Sequence, residues 1–125
     1  MIVDTNILIY DTFEDLDKHE EARKILDSMP EWFVPSLVLI EFIAFLNKSG
    51  LERRKILDKV EELIRNPKFV LVEVEREDVL KSLENVRKEN LSSLRINDKI
   101  IMQVAKRLGK KLITFDKKLN LQFEA

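Results

Sequence analysis

Four short apolar runs punctuate this chain, and amphipathic stretches separate them. The runs are Met1-Ile2-Val3, Trp32-Phe33-Val34, Phe69-Val70-Leu71-Val72 and Leu112-Ile113-Thr114-Phe115. Between them, apolar residues recur every three or four positions. Ala22, Ile25 and Leu26 mark a helix over 17–28, and Ile56, Leu57, Val60, Leu63 and Ile64 mark another before Asn66-Pro67. Val79, Leu80, Leu83 and Val86 mark a helix over 76–90, and Ile100, Ile101, Val104, Ala105 and Leu108 one over 98–108. Ser36 is expected to cap a helix running to about Lys48, Asn97 to cap the last helix and Gly109 to close it. A further short strand is expected over 119–123. Strands too short and too apolar for a one-faced sheet, alternating with helices, predict an α/β fold with a parallel sheet covered on both sides. With 125 residues and no linker or repeat, the chain reads as one domain, 1–125.

Against that frame four acids are out of place. Asp4 ends the first apolar run, and Asp116 closes the last one. Glu41 interrupts an apolar stretch from Val34 to Leu46, with no base within a turn on either side. Asp98 opens the last helix. A lone carboxylate in such surroundings costs several kcal/mol unless it is partnered or protonated. Three have a simpler reading: Asp4-Thr5-Asn6 fits a helix N-cap, Asp98 suits the positive end of a helix dipole, and Asp116 suits a turn with Lys117 and Lys118; Glu41, amid apolar residues, favours a site over a solvated face. Parallel sheets bind ligands beyond the C-terminal ends of their strands, however, and Asp4 and Asp116 both stand there. If the fold gathers the four, the natural partner is a hard divalent cation held by oxygen ligands.

Composition narrows the chemistry. The chain has no cysteine and one histidine, His19, on the polar stretch Asp17–Glu21, so zinc, thiolate and Ser-His-Asp chemistries are disfavoured. Neither glycine lies in a phosphate-binding loop, and Trp32 and Tyr10 read as core. No apolar run is long enough to span a bilayer and no leader pattern is present, which predicts a soluble, cytoplasmic protein. The net charge of −1 argues against a generic nucleic-acid binder. Yet residues 95–118 hold eight bases against two acids, Asp98 and Asp116, a local excess where a polyanion would dock. The structural alternative for such a run is a solvated helix face.

In this order and spacing, Ile2-Val3-Asp4-Thr5-Asn6, His19-Glu20-Glu21-Ala22, Pro35-Ser36 leading to Glu41, Asn97-Asp98-Lys99-Ile100-Ile101 and Leu112-Ile113-Thr114-Phe115-Asp116 resemble the PIN-domain family. The likeness is strongest to its small stand-alone members, the VapC-like ribonuclease toxins. Lys118 stands where many relatives carry a further acid. The resemblance implies a three-layer α/β/α sandwich with a short-stranded, mostly parallel central sheet. It implies an acidic quartet, Asp4, Glu41, Asp98 and Asp116, that binds Mg²⁺ or Mn²⁺ and hydrolyses RNA phosphodiesters. Thr5, Asn6 and Thr114 are then accessory polar groups, and Arg95, Lys99, Lys117 and Lys118 are candidates to grip the RNA backbone. A homodimer and an antitoxin partner are also implied, with the apolar helix 36–47 as a surface for either. The alternatives are a PIN nuclease of RNA processing or quality control, and a non-catalytic PIN-like module that binds metal or partners.

Overall fold

A computed structural model describes residues 1–116. Four parallel strands, β1 (Ile2–Val3), β2 (Trp32–Pro35), β3 (Phe69–Val72) and β4 (Leu112–Ile113), form a sheet in the order β3-β2-β1-β4. The four expected strands are therefore present; the strand expected over 119–123 lies outside the described residues. Ile2 pairs with Phe33 on one side and Leu112 on the other, and Val3 pairs with Ile113. Crossovers of the usual right hand put the helices of the first two connections on one face and those of the third on the other. The chain moves from β1 to β2 and β3, then returns to β4 on β1's free side. The switch in strand order thus falls between β1 and β4, where Asp4 and Asp116 emerge.

Among the described residues six helices cover the sheet: α1 (Thr5–Thr12), α2 (His19–Ser28), α3 (Ser36–Lys48), α4 (Arg53–Arg65), α5 (Arg76–Lys88) and α6 (Ile96–Leu108), the last entered through a 3₁₀ turn at Ser93–Arg95. The first was not legible as a helix, because Ile7-Leu8-Ile9-Tyr10 carries no helical period of its own. Asp4 begins it by capping, and Ile7 and Leu8 drive it by being wholly buried. The core joins Ile2, Val3 and Val34 of the sheet to Val38, Phe42 and Leu46 of α3 and to Ile101 and Ala105 of α6. Trp32 seals one end, its indole N–H donating to the Leu26 carbonyl at 2.8 Å.

Two expected caps turn out differently. Pro35, with φ −58°, precedes α3, and Ser36 is its first residue. The Ser36 hydroxyl instead accepts from the Val74 N–H at 3.2 Å, tying the β3–α5 connection to α3. Asn97 lies inside α6, which begins at Ile96, so its amide is free for other use. Gly109 does close α6, at φ 62° in the left-handed region that favours glycine. At the α5–α6 seam Asp78, 2% exposed, takes both a capping-box bond from the Glu75 N–H at 2.8 Å and the Arg107 guanidinium at 3.1 Å.

Candidate metal-ion centre

The register Val3↔Ile113 brings the residues after β1 and β4 side by side. Asp4 follows β1 and caps α1, while Thr114 follows β4. The Thr114 hydroxyl donates to Asp4 Oδ2 at 2.7 Å and the Thr5 N–H to Oδ1 at 2.7 Å. Thr114 Oγ1 in turn accepts from the Asn6 amide at 2.9 Å and from the Asp116 N–H at 3.0 Å. Asn6 Oδ1 accepts from the Phe115 N–H at 3.1 Å, so one side chain of α1 holds the segment after β4 at two points. Thr5, Asn6 and Thr114 form one network around Asp4, and it sets where the Asp116 backbone sits.

Glu41 reaches the same region from the middle of α3. Its Oε1 accepts from the Thr5 hydroxyl at 2.6 Å, and its Oε2 from the Asn97 amide at 3.1 Å. Asp98 sits in the first turn of α6, with its carboxylate 3.5 Å from Arg95 Nε. Arg95 Nε is buried, and the contact is too long to count as a hydrogen bond.

The electrostatics tie the acids together. Burial lifts the Asp4 pKa from 3.8 to about 6; the Thr114 and Thr5 donors pull against this, and the charges of Glu41 and Asp98 add to it. Asp98 is also raised, by burial first and then by Asp116 and Glu41, while Arg95 and Lys99 oppose the shift. Each of the four carboxylates thus acts on at least one of the others. Among the described residues, no three His, Cys, Asp or Glu side chains stand close enough to hold one ion as they are posed. The donor set itself suits a hard cation: carboxylate oxygens, two of them on acids with raised pKa values.

The basic residues separate into different roles. Arg95 lies at the acidic cluster. Lys99 is only 4% exposed, with Nζ 2.7 Å from Glu89, so its charge is engaged inside the protein and does not face a ligand. Arg107 is taken up by Asp78 and Glu75. Lys106 lies in the last turn of α6, ten residues and so about 15 Å along the axis from its start, and Lys110 and Lys111 follow the helix. The six bases of this run that lie among the described residues therefore do not form one patch beside the acids, because the helix spreads them along its length. Lys117 and Lys118 lie outside the described residues. His19 is structural here, its Nδ1 donating to the Tyr10 carbonyl at 2.8 Å.

Asn97 is the polar contact that a cap assignment concealed. The clue was available: nothing on α3 can partner Glu41, so a donor had to come from another element.

A short-stranded parallel sheet with acids gathered at its switch point is the architecture expected of a PIN domain. The chain belongs to the PIN domain family, whose family model matches residues 1–121. Among solved structures it is similar to the VapC20 toxin of Mycobacterium tuberculosis, described as cleaving the sarcin–ricin loop. The identity is 18%, the TM-score 0.82, and 97% of this chain and 93% of that one are covered. It is similar to FitAcB from Neisseria gonorrhoeae, at 15% identity and a TM-score of 0.74, covering 99% and 93%. It is also similar to VapBC2 from Rickettsia felis, bound there to a DNA fragment from its promoter, at 18% identity and a TM-score of 0.69, covering 96% and 90%. At these identities the likeness establishes a shared fold. No protein of curated function matches the sequence.

Proposed function

We propose that the chain is a divalent-metal-dependent endoribonuclease, acting in the cytoplasm as the toxin of a toxin–antitoxin pair. The observation that carries this reading is that the charges of Glu41 and Asp98 reach Asp4, and those of Asp116 and Glu41 reach Asp98, with Asp4 pushed up to about 6, chiefly by burial, at a position only 6% exposed. Neighbouring buried carboxylates repel one another, and a bound dication relieves that repulsion. Mg²⁺ or Mn²⁺ fits the all-oxygen donor set. When bound, such an ion supplies a Lewis acid for the phosphoryl group and a water acidified enough to attack it.

The chain's own residues prepare the site. Thr114 and the Thr5 N–H orient Asp4, the Thr5 hydroxyl and Asn97 orient Glu41, and Asn6 holds the segment that carries Asp116. Arg95, beside Asp98, offsets the negative charge of the acids. RNA is the substrate in this reading, supported by the RNA-cleaving toxin among the proteins of similar fold. An antitoxin protein and a second copy of the chain are the partners. The exposed apolar residues of α3, Ile40 at 63% and Phe45 at 41%, are surface for either. Among the described residues, no helix is long and apolar enough to cross a membrane.

The test is calorimetric titration of Mn²⁺ into the wild type and Asp4→Asn, followed by cleavage of a structured RNA pool with and without a chelator. Saturable binding abolished by the substitution, with chelator-sensitive cleavage, is the expected result. Binding that is absent, or indifferent to Asp4, refutes the metal-site reading. Binding without cleavage of any RNA favours a non-catalytic metal-binding domain.

A further inference from the structure

We propose that Asn97 is a positioning residue for the acidic centre, acting through Glu41. The inference rests on the metal-ion reading above. Glu41 lies on α3 among apolar residues, and its carboxylate is held from two directions. The Thr5 hydroxyl of α1 binds Oε1 at 2.6 Å, and the Asn97 amide of α6 binds Oε2 at 3.1 Å. A carboxylate only accepts, so the Nδ2 side of Asn97 must face it. One donor on each oxygen, from two different helices, fixes both the tilt and the rotation of the carboxylate. About two of its four lone-pair sites remain for other partners.

Without Asn97, Glu41 keeps only the Thr5 bond and can pivot about it. Asn97 also precedes Asp98 on the first turn of α6. The same turn therefore delivers one acid and orients another, coupling two of the four carboxylates in space. A helix-capping role is ruled out by its position inside α6 and by the 56-residue separation of its partner.

Outer groups that orient metal-binding carboxylates change metal affinity by about 10- to 100-fold when removed. The experiment measures Mn²⁺ dissociation constants by electron paramagnetic resonance for the wild type, Asn97→Ala and Asn97→Leu, with metal-free melting temperatures recorded alongside. Leucine shares asparagine's branching at Cγ and is a good helix former, so Asn97→Leu keeps the helix while removing the donor. Both variants are expected to bind Mn²⁺ about 10-fold more weakly. Repeating Asn97→Leu in a Glu41→Ala background is expected to change the affinity no further, because there is no carboxylate left to orient.

Unchanged affinity in both variants overturns the proposal and leaves the metal site standing. A loss of equal size with Glu41 already removed also overturns it, since Asn97 would then act through the fold. Failure of the wild type to bind Mn²⁺ overturns the metal reading and this proposal with it.

Discussion

The pH dependence of the metal-free protein is the sharpest consequence of the site, and its sign is opposite to ordinary acid denaturation. Asp4 titrates near 3.8 in an unstructured chain and at about 6 in the fold, chiefly because burial disfavours its charge. The folded state therefore holds this proton more tightly than the unfolded state. The resulting stabilisation is complete below about pH 3.8 and lost as the pH rises through about 6. The full difference is worth about 3 kcal/mol, of which about 1.4 kcal/mol develops between pH 8 and pH 5. In a domain of this size that raises the melting temperature by roughly 5 °C on acidification.

Asp98, raised in the same direction, adds to the effect. The assay is thermal unfolding followed by circular dichroism in chelator at pH 5 and pH 8, for the wild type and Asp4→Asn. The asparagine points an N–H at Thr114 Oγ1, which already accepts from Asn6 and Asp116. That costs about 1–2 kcal/mol at either pH, so the slope is the quantity to read and not the baseline. The variant's slope should be shallower than the wild type's by about the Asp4 share. Equal slopes would show that Asp4 is not held at a raised pKa. Saturating Mn²⁺, which binds the charged form, should remove the wild-type gain at pH 5.

Three further outcomes follow from the packing. Arg107→Ala strands the buried Asp78 carboxylate, and denaturant unfolding should register a loss of about 2–4 kcal/mol; a loss under about 1 kcal/mol would mean that the α5–α6 seam does not depend on this pair. Gly109→Ala should cost about 1–2 kcal/mol, from the left-handed backbone alone, since an added Cβ meets nothing within 4 Å; a much larger loss would reveal a contact the geometry lacks. In fluorescence-anisotropy titrations of RNA against salt, Arg95→Gln should lower the log–log slope by about one, whereas Lys99→Met should leave it unchanged. A drop for Lys99→Met would mean that its pairing with Glu89 breaks when RNA binds.

What could be read from the sequence, and what could not, divides by the range of the interactions involved. Strand positions were legible because burial on both faces demands short, unbroken apolar runs. The acids stood out in the sequence because each adjoins or interrupts an apolar run. The reading failed where a side chain's purpose lay across the fold. Ser36 and Asn97 both looked like caps, since serine and asparagine cap helices by default. Their true partners are Val74, 38 residues away, and Glu41, 56 residues away. The charge run at 95–118 shows the same limit along its described part. Proximity in sequence is not proximity on a helix: α6 puts Arg95 beside the acids, turns Lys99 inward to Glu89, and carries Lys106 to its opposite end. Charge density along a chain therefore indicates a binding surface only after the helix carrying it has been placed, whereas an isolated acid in an apolar run implies a distant partner before any placement.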